Sequence, residues 1–249
     1  MELDPIALYQ SDSMELMRNM SPESVDLIVS DVPYKVISGG KSRGRTNDFG
    51  GILKANDGKI FAHNDVDHKE MFELFYKILK KDTHCYVFVN EYMRYKFETA
   101  AYAAGFKMHA LLIPKKSNCV RNRWYRKNYE IVMFLRKGKA KGIKNQGSKQ
   151  CHDFGHVPKG EKTHKTEKPV SLMQLYVENS SETGDIVMDP FMGTGSTGIA
   201  CLRTGRKFIG AEIDPEYFVI AQQRIQSELD VPIDVGTPYV GTDDQKGAE

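Results

Sequence analysis

The segment that most restricts the fold of this chain is Asp189-Pro190-Phe191-Met192-Gly193-Thr194-Gly195-Ser196-Thr197-Gly198, set directly behind the apolar run Ile186-Val187-Met188. A short apolar run, a glycine-rich turn and a helix-forming stretch, in that order, make a strand–turn–helix unit. Such units build a parallel sheet covered by helices. The glycines fall as G-x-G-x-x-G at Gly193, Gly195 and Gly198. Glu212 lies 19 residues beyond Gly193, at the end of the next apolar run, Lys207-Phe208-Ile209-Gly210-Ala211. This context suits a nucleoside-bearing cofactor. Glycine lets the backbone come close to the ligand, and an acid takes the two ribose hydroxyls.

A second stretch gives that site a partner. Val25, Leu27, Ile28 and Val29 read as a buried strand that ends on the polar pair Ser30-Asp31. Val32-Pro33 then keeps the backbone extended, and Tyr34 puts a ring beside a carboxylate. In an open parallel sheet, ligands bind at the carboxyl ends of the strands. A carboxylate, a fixed backbone carbonyl and a ring there can hold the amino group of a flat heterocycle while stacking on it. A lone D-x-P-Y is better explained as a turn cap and a packed ring; its company with the glycine loop changes that.

Together the two stretches resemble the amino-directed DNA methyltransferases in their β arrangement, where the D-P-P-Y motif precedes the F-x-G-x-G motif. The resemblance covers residues 8–36, 84–135 and 163–226, most of the chain. It is most specific in the last block, H-K-T-E-K-P, then D-P-F-M-G-T-G-S-T, then G-A-E-I-D-P-E-Y. Lys165 and Val32 depart from the family, which has proline at both places. The resemblance implies a doubly wound, mostly parallel α/β sheet of the S-adenosylmethionine-dependent, Rossmann-like kind, with a small basic insert. It implies S-adenosylmethionine as cofactor and DNA as substrate. Asp31, the Val32 carbonyl, Pro33 and Tyr34 become the catalytic set. Asp12, Thr166, Lys168, Pro169, Asp189, Phe191, Gly193, Thr194, Gly195, Ser196, Glu212, Ile213 and Asp214 become the cofactor set. The target is expected to be the N6 amino group of a flipped-out adenine, because D-P-P-Y goes mostly with adenine and S-P-P-Y or S-P-P-F mostly with cytosine.

Charge is uneven along a chain whose net charge is only +2. Residues 114–150 hold twelve Lys and Arg against one acid, Glu130, while the last twenty residues are acidic. In the first of these, Lys115, Lys116, Arg121, Arg123, Trp124 and Arg126 mix cations with an aromatic, which suits phosphate contact and base stacking. A solvated lysine-rich loop explains the charge alone about equally well. Residues 35–66 carry Lys35, Arg43 and Arg45 among many glycines. They read as a mobile loop that meets DNA and closes over the site. The resemblance implies a small target-recognition insert at residues 136–165, while 230–249 reads as a poorly ordered tail. One domain is expected over 1–229.

The rest of the chain alternates. Strands are expected at 6–10, 84–90, 106–113 (ended by Pro114) and 128–135. Helices are expected at 14–20 (N-capped by Ser13), 67–80, 91–104, from Pro169, from Ser196, and over 215–229. Strands ending at Asp12, Asp31, Asp189 and Glu212 would gather four acids along one edge. The four cysteines show no C-x-x-C, and Cys85 and Cys201 sit in apolar surroundings. This fits a reducing, cytoplasmic setting, and the resemblance implies a bacterial or phage-encoded protein acting on intracellular DNA. Cys151, His152, His156 and His164 match no zinc spacing, so no metal is expected. The first residues lack a signal-peptide core, and no apolar run reaches membrane-spanning length. Oligomeric state is left between monomer and homodimer. Cytosine-N4 methylation, a DNA-binding relative without catalysis, a nicotinamide-dependent dehydrogenase, and methylation of RNA or a protein amide stand as alternatives. The dehydrogenase leaves D-V-P-Y and H-K-T-E-K-P unexplained.

Overall fold

A computed structural model of the chain describes residues 5–33, 66–116, 125–139, 141–154 and 167–229. The chain divides into two compact units, residues 1–32 with 68–249, and residues 33–67. Only 33, 66 and 67 of the second unit are described, so the expectations for the 35–66 loop lie outside the described residues, as do those for the tail. No described helix is long and apolar enough to cross a membrane.

The first unit is a single eight-stranded sheet. Its strands, in chain order, are β1 (Ile6–Gln10), β2 (Val25–Ser30), β3 (Leu79–Val89), β4 (Lys107–Lys116), β5 (Ile131–Arg136), β6 (Cys151–Phe154), β7 (Ile186–Asp189) and β8 (Lys207–Glu212). Across the sheet they run β1-β8-β7-β2-β3-β5-β4-β6. Every pairing is parallel except those of β5 with β3 and with β4. The mostly parallel sheet expected from the alternating pattern is therefore present, with β5 inserted against the grain.

The helices are α1 (Ser13–Asn19), α2 (His68–Ile78), α3 (Arg94–Ala103), α4 (Val170–Ser180), α5 (Ser196–Arg203) and α6 (Pro215–Gln226). α1 packs on α2 and α2 on α3, while α4 packs on α5 and α5 on α6. The sheet is covered on both faces, which is why β2 reads as a continuous apolar run rather than an alternating one. Leu27 and Val29 join the core under α4, α5 and α6, and Ile28 between them is equally buried.

Several boundaries differ from the expected ones, each for a local reason. β3 starts at Leu79, straight after α2, because the buried Lys137 ammonium donates to the Tyr76 and Leu79 carbonyls at 2.8 and 2.6 Å. That cation closes the helix end. β4 runs through Pro114: its neighbour Ile113 donates to Gln150, and the Pro114 carbonyl accepts from Glu130. The ring removes one donor but not the extended backbone. The 136–165 insert holds an ordered edge strand, β6, anchored where His152 meets the Tyr176 ring edge-on at 6.1 Å. Tyr176 itself stacks on Tyr86, and Tyr86 on Phe134, at 4.6 and 4.7 Å. Cys85 and Cys201 are core thiols, as expected.

Candidate active site

The strand order sets the site. β1, β8, β7 and β2 are adjacent and parallel, so their carboxyl ends share one edge. Asp12, Glu212, Asp189 and Asp31 follow one another along it. The four acids do gather, but they do different work.

Asp12 caps α1. Its Oδ1 accepts from the Met14 and Glu15 amides at 2.7 and 3.0 Å. Such a cap stabilises a helix by about 1 kcal/mol. Ser13, expected as the cap, instead sends its buried hydroxyl to the Pro190 carbonyl and ties the start of α1 to the segment leading into the glycine loop. Asp214 is likewise an N-cap, for α6, accepting from the Glu216 and Tyr217 amides.

Asp189 is buried, and both its oxygens are engaged inside the protein. Ser30 and the Phe191 amide donate to Oδ1 at 2.7 and 3.2 Å, and Thr197 donates to Oδ2 at 2.7 Å. Burial pushes its carboxyl up to about 6, against these three donors. Asp189 thus clasps the first turn of α5 to the end of β2. The sequence marks Ser30 only as the polar neighbour of Asp31 and Thr197 only as part of the glycine motif. The signal was available, since each is a hydroxyl inside or beside a motif.

The glycine loop is built by the same economy of space. Gly193 has φ +52, and a Cβ on it would meet nothing within 4 Å, so the backbone there leaves room for a ligand to approach. Gly195 has φ +82, and its Cβ would press on Ile225 and Ala221 of α6. Gly198 would strike Ile225 and Phe208 at 2.7 and 2.8 Å. Only the first glycine serves approach; the other two let α5 and α6 pack. Glu212 takes the Gly193 amide at 3.0 Å and the Asp214 amide at 2.9 Å. Burial raises its carboxyl despite those donors. Each carboxylate oxygen has further acceptor capacity. Around this loop the buried hydroxyls of Ser11 and Ser196 have no hydrogen-bond partner among the described residues. The N-terminus of α5 also has no side-chain cap. Unsatisfied hydroxyls, a helix start without a side-chain cap and a carboxylate fit a nucleoside carrying an anionic group. Ile213 lies half-exposed beside them.

The Lys168 ammonium is paired with Asp31 and lies 5.1 Å from the Phe88 ring centroid. The preceding Glu167 turns the other way. Its buried carboxylate pairs with Arg224 at 2.6 Å, and Arg224 donates to the Thr194 hydroxyl and carbonyl at 2.9 and 2.5 Å. Glu167 and Arg224, unforeseen, are what join H-K-T-E-K-P to the glycine loop. Pro169 precedes α4 as its extended N-cap rather than its first residue. Val32 is buried. Tyr34 and Thr166 lie outside the described residues.

The basic stretch is partly neutralised. Lys115 pairs with Asp153 at 3.0 Å, Lys116 with Glu130, and Lys127 with Glu91 at 2.7 Å. Arg126 is exposed, beside Tyr125, which is 98% exposed. Tyr92 and Tyr95, on the turn after β3 and the first turn of α3, are 77% and 75% exposed. Lys35, Arg43, Arg45, Arg121, Arg123 and Trp124 lie outside the described residues. Among the described residues no group of three or more His, Cys, Asp or Glu is placed to hold a metal ion.

The geometry has close relatives. The chain is 29% identical over 244 residues to the type II methyltransferase M2.DpnII of Streptococcus pneumoniae, covering 89% of this chain and 90% of that one. Its fold matches the crystal structure of an M1.HpyAVI–SAM complex with a TM-score of 0.68, at 24% identity, over 88% of this chain and 98% of that one. It also matches PvuII DNA methyltransferase, described as cytosine-N4-specific, with a TM-score of 0.66 at 16% identity, over 90% and 93% of the two chains. A profile of DNA methylases matches residues 25–223, a span that takes in the Asp31 strand, the Lys168 segment, the glycine loop and Glu212; the chain belongs to that DNA methylase family.

Proposed function

We propose that this protein transfers a methyl group from S-adenosylmethionine to the N6 amino group of adenine in DNA. The observation that carries the reading is the placement of Asp31. It stands at the end of β2, on the same sheet edge as the glycine loop and Glu212. When bound, S-adenosylmethionine supplies an electrophilic methyl sulfonium. Glu212 offers its carboxylate to the ribose hydroxyls, and the Gly193 backbone leaves room for the ligand.

An exocyclic amino nitrogen is a weak nucleophile because its lone pair is shared with the ring. Asp31 and the Val32 carbonyl each accept one amino hydrogen, which favours the pyramidal nitrogen that can attack. With the cofactor bound, its sulfonium methyl would pass to the nitrogen as the C–S bond breaks, leaving S-adenosylhomocysteine, and the amino proton would be released through Asp31 to solvent. Acceptors set in place beforehand lower the barrier without reorganising, and in-line positioning lowers it further. No covalent link to the protein is needed. This agrees with the two buried thiols, Cys85 and Cys201, which burial pushes away from ionisation. An anionic acceptor makes a stronger bond to an amino hydrogen than a serine hydroxyl can, which favours adenine over cytosine. Arg126, Tyr125, Tyr92 and Tyr95 form the described part of the DNA-facing surface in this reading, with Tyr34 stacking on the flipped base.

The test is mass spectrometry of digested DNA after incubation with the protein and S-adenosylmethionine. 6-Methyladenine is expected from the native chain and none from Asp31→Ala, while calorimetry shows cofactor binding by both. Only 4-methylcytosine would overturn the base assignment. Full activity in Asp31→Ala would overturn the catalytic one.

A further inference from the structure

The ends of three neighbouring strands meet beside Asp31. Ser30 of β2 pairs with Val87 of β3, and Val89 of β3 pairs with Ile131 of β5. Continuing these registers sets Asp31 level with Phe88, while Glu130 precedes β5 and falls level with Asn90, two positions farther along the same edge. Lys168 reaches this edge. It is paired with Asp31, lies over the Phe88 ring, and is the charge that acts most strongly to lower the Glu130 carboxyl. Burial alone would raise Glu130, and Lys168 and Lys116 together hold it below the usual carboxylate range. The Lys168 side chain is only 14% exposed, so its position is set by these neighbours rather than by solvent.

We propose that Lys168 is a positioning residue for Asp31: braced by Glu130 and Phe88, it holds one carboxylate oxygen so that the other faces the target amino group. The proposal rests on the reading of Asp31 as the amino acceptor. A free aspartate rotates about two bonds and points either oxygen anywhere. An ammonium fixed on Oδ2 removes that freedom and directs Oδ1. Glu130, itself paired with Lys116, adds a second negative charge that acts on the ammonium already paired with Asp31. Opposite orientation of neighbouring residues in the extended chain gives the segment two hands. Glu167 grips Arg224 and the cofactor loop, and Lys168 grips the acceptor. The stretch thereby sets the distance between the two reacting partners.

The test uses single-turnover methylation with saturating DNA and cofactor, and calorimetry with S-adenosylmethionine on the same preparations. Lys168→Met keeps the stem and removes only the charge. A misplaced acceptor costs up to about 100-fold in rate, so this variant should lose about 10- to 100-fold in the methylation rate with cofactor Kd within about 2-fold. Lys168→Arg should recover part of the loss. Glu130→Gln should lose less than Lys168→Met. The double variant should be no slower than Lys168→Met alone, because Glu130 acts through Lys168. Weakened cofactor binding with an unchanged rate at saturation would place Lys168 in the cofactor site and overturn the proposal. Additive losses in the double variant would also overturn it. If Asp31→Ala is inactive while Lys168→Met keeps the native rate, this inference alone fails; if Asp31→Ala is active, the acceptor reading fails first.

Discussion

Asp189→Asn should make the protein more stable at neutral pH, although it alters the centre of the site. The carboxyl is 4% exposed and has three donors around it. Burial outweighs them and lifts it from 3.8 to about 6. In that window the folded chain holds a proton that the unfolded chain has lost, so stability falls as pH rises. The contribution is fully present below 3.8 and gone above about 6. At about 1.36 kcal/mol per pH unit, the loss comes to about 3 kcal/mol. Asparagine does not titrate. Its oxygen can keep Ser30 and the Phe191 amide, while its nitrogen meets Thr197, whose hydroxyl must turn to accept. That exchange costs about 1 kcal/mol. The variant should therefore match or trail the native protein near pH 4 and exceed it by about 2 kcal/mol at pH 7. Urea unfolding of both proteins without cofactor, across pH 4 to 8, measures the difference. A difference that stays constant over that range would refute the reasoning. It would mean that Ser30, Thr197 and the Phe191 amide fully compensate the buried charge.

Two further outcomes follow from particular contacts. Gly198→Ala puts a methyl group against Ile225 and Phe208 and should destabilise the fold by about 1–3 kcal/mol in thermal or urea unfolding. Gly193→Ala meets no atom and should cost about 1 kcal/mol through its positive φ alone, so equal losses at the two positions would count against the packing account. Arg126→Ala should weaken DNA binding and lower the slope of log affinity against log salt by about 1, as one phosphate contact is lost. Lys116→Ala should leave that slope unchanged, because its charge is already matched by Glu130. Fluorescence anisotropy at several salt concentrations would separate them.

Much of this architecture is legible in the sequence. Apolar runs ending in acids marked β2, β7 and β8. The glycine spacing marked the turn into α5. These are local signals, carried by residues a few positions apart, and side-chain period and backbone freedom dictate them whatever the rest of the chain does. The family resemblance rested on the same short stretches. What the tertiary structure alone decided is which acid does what. Asp12 and Asp214 turned out to cap helices, and Asp189 to clasp Ser30 and Thr197, because a carboxylate takes whichever donors the fold brings within reach. Lys168 reads as part of a cofactor motif, yet it is delivered to Asp31, 137 positions away. Among the described cations of the basic stretch, Lys115, Lys116, Lys127, Lys137 and Lys144 are each paired with a carboxylate. The β6 strand hides in a polar stretch since an edge strand needs only one anchored face, here His152 on Tyr176. Pairings of this kind depend on strand order and on what burial costs a charge, and neither quantity is written in the spacing of residues along the chain.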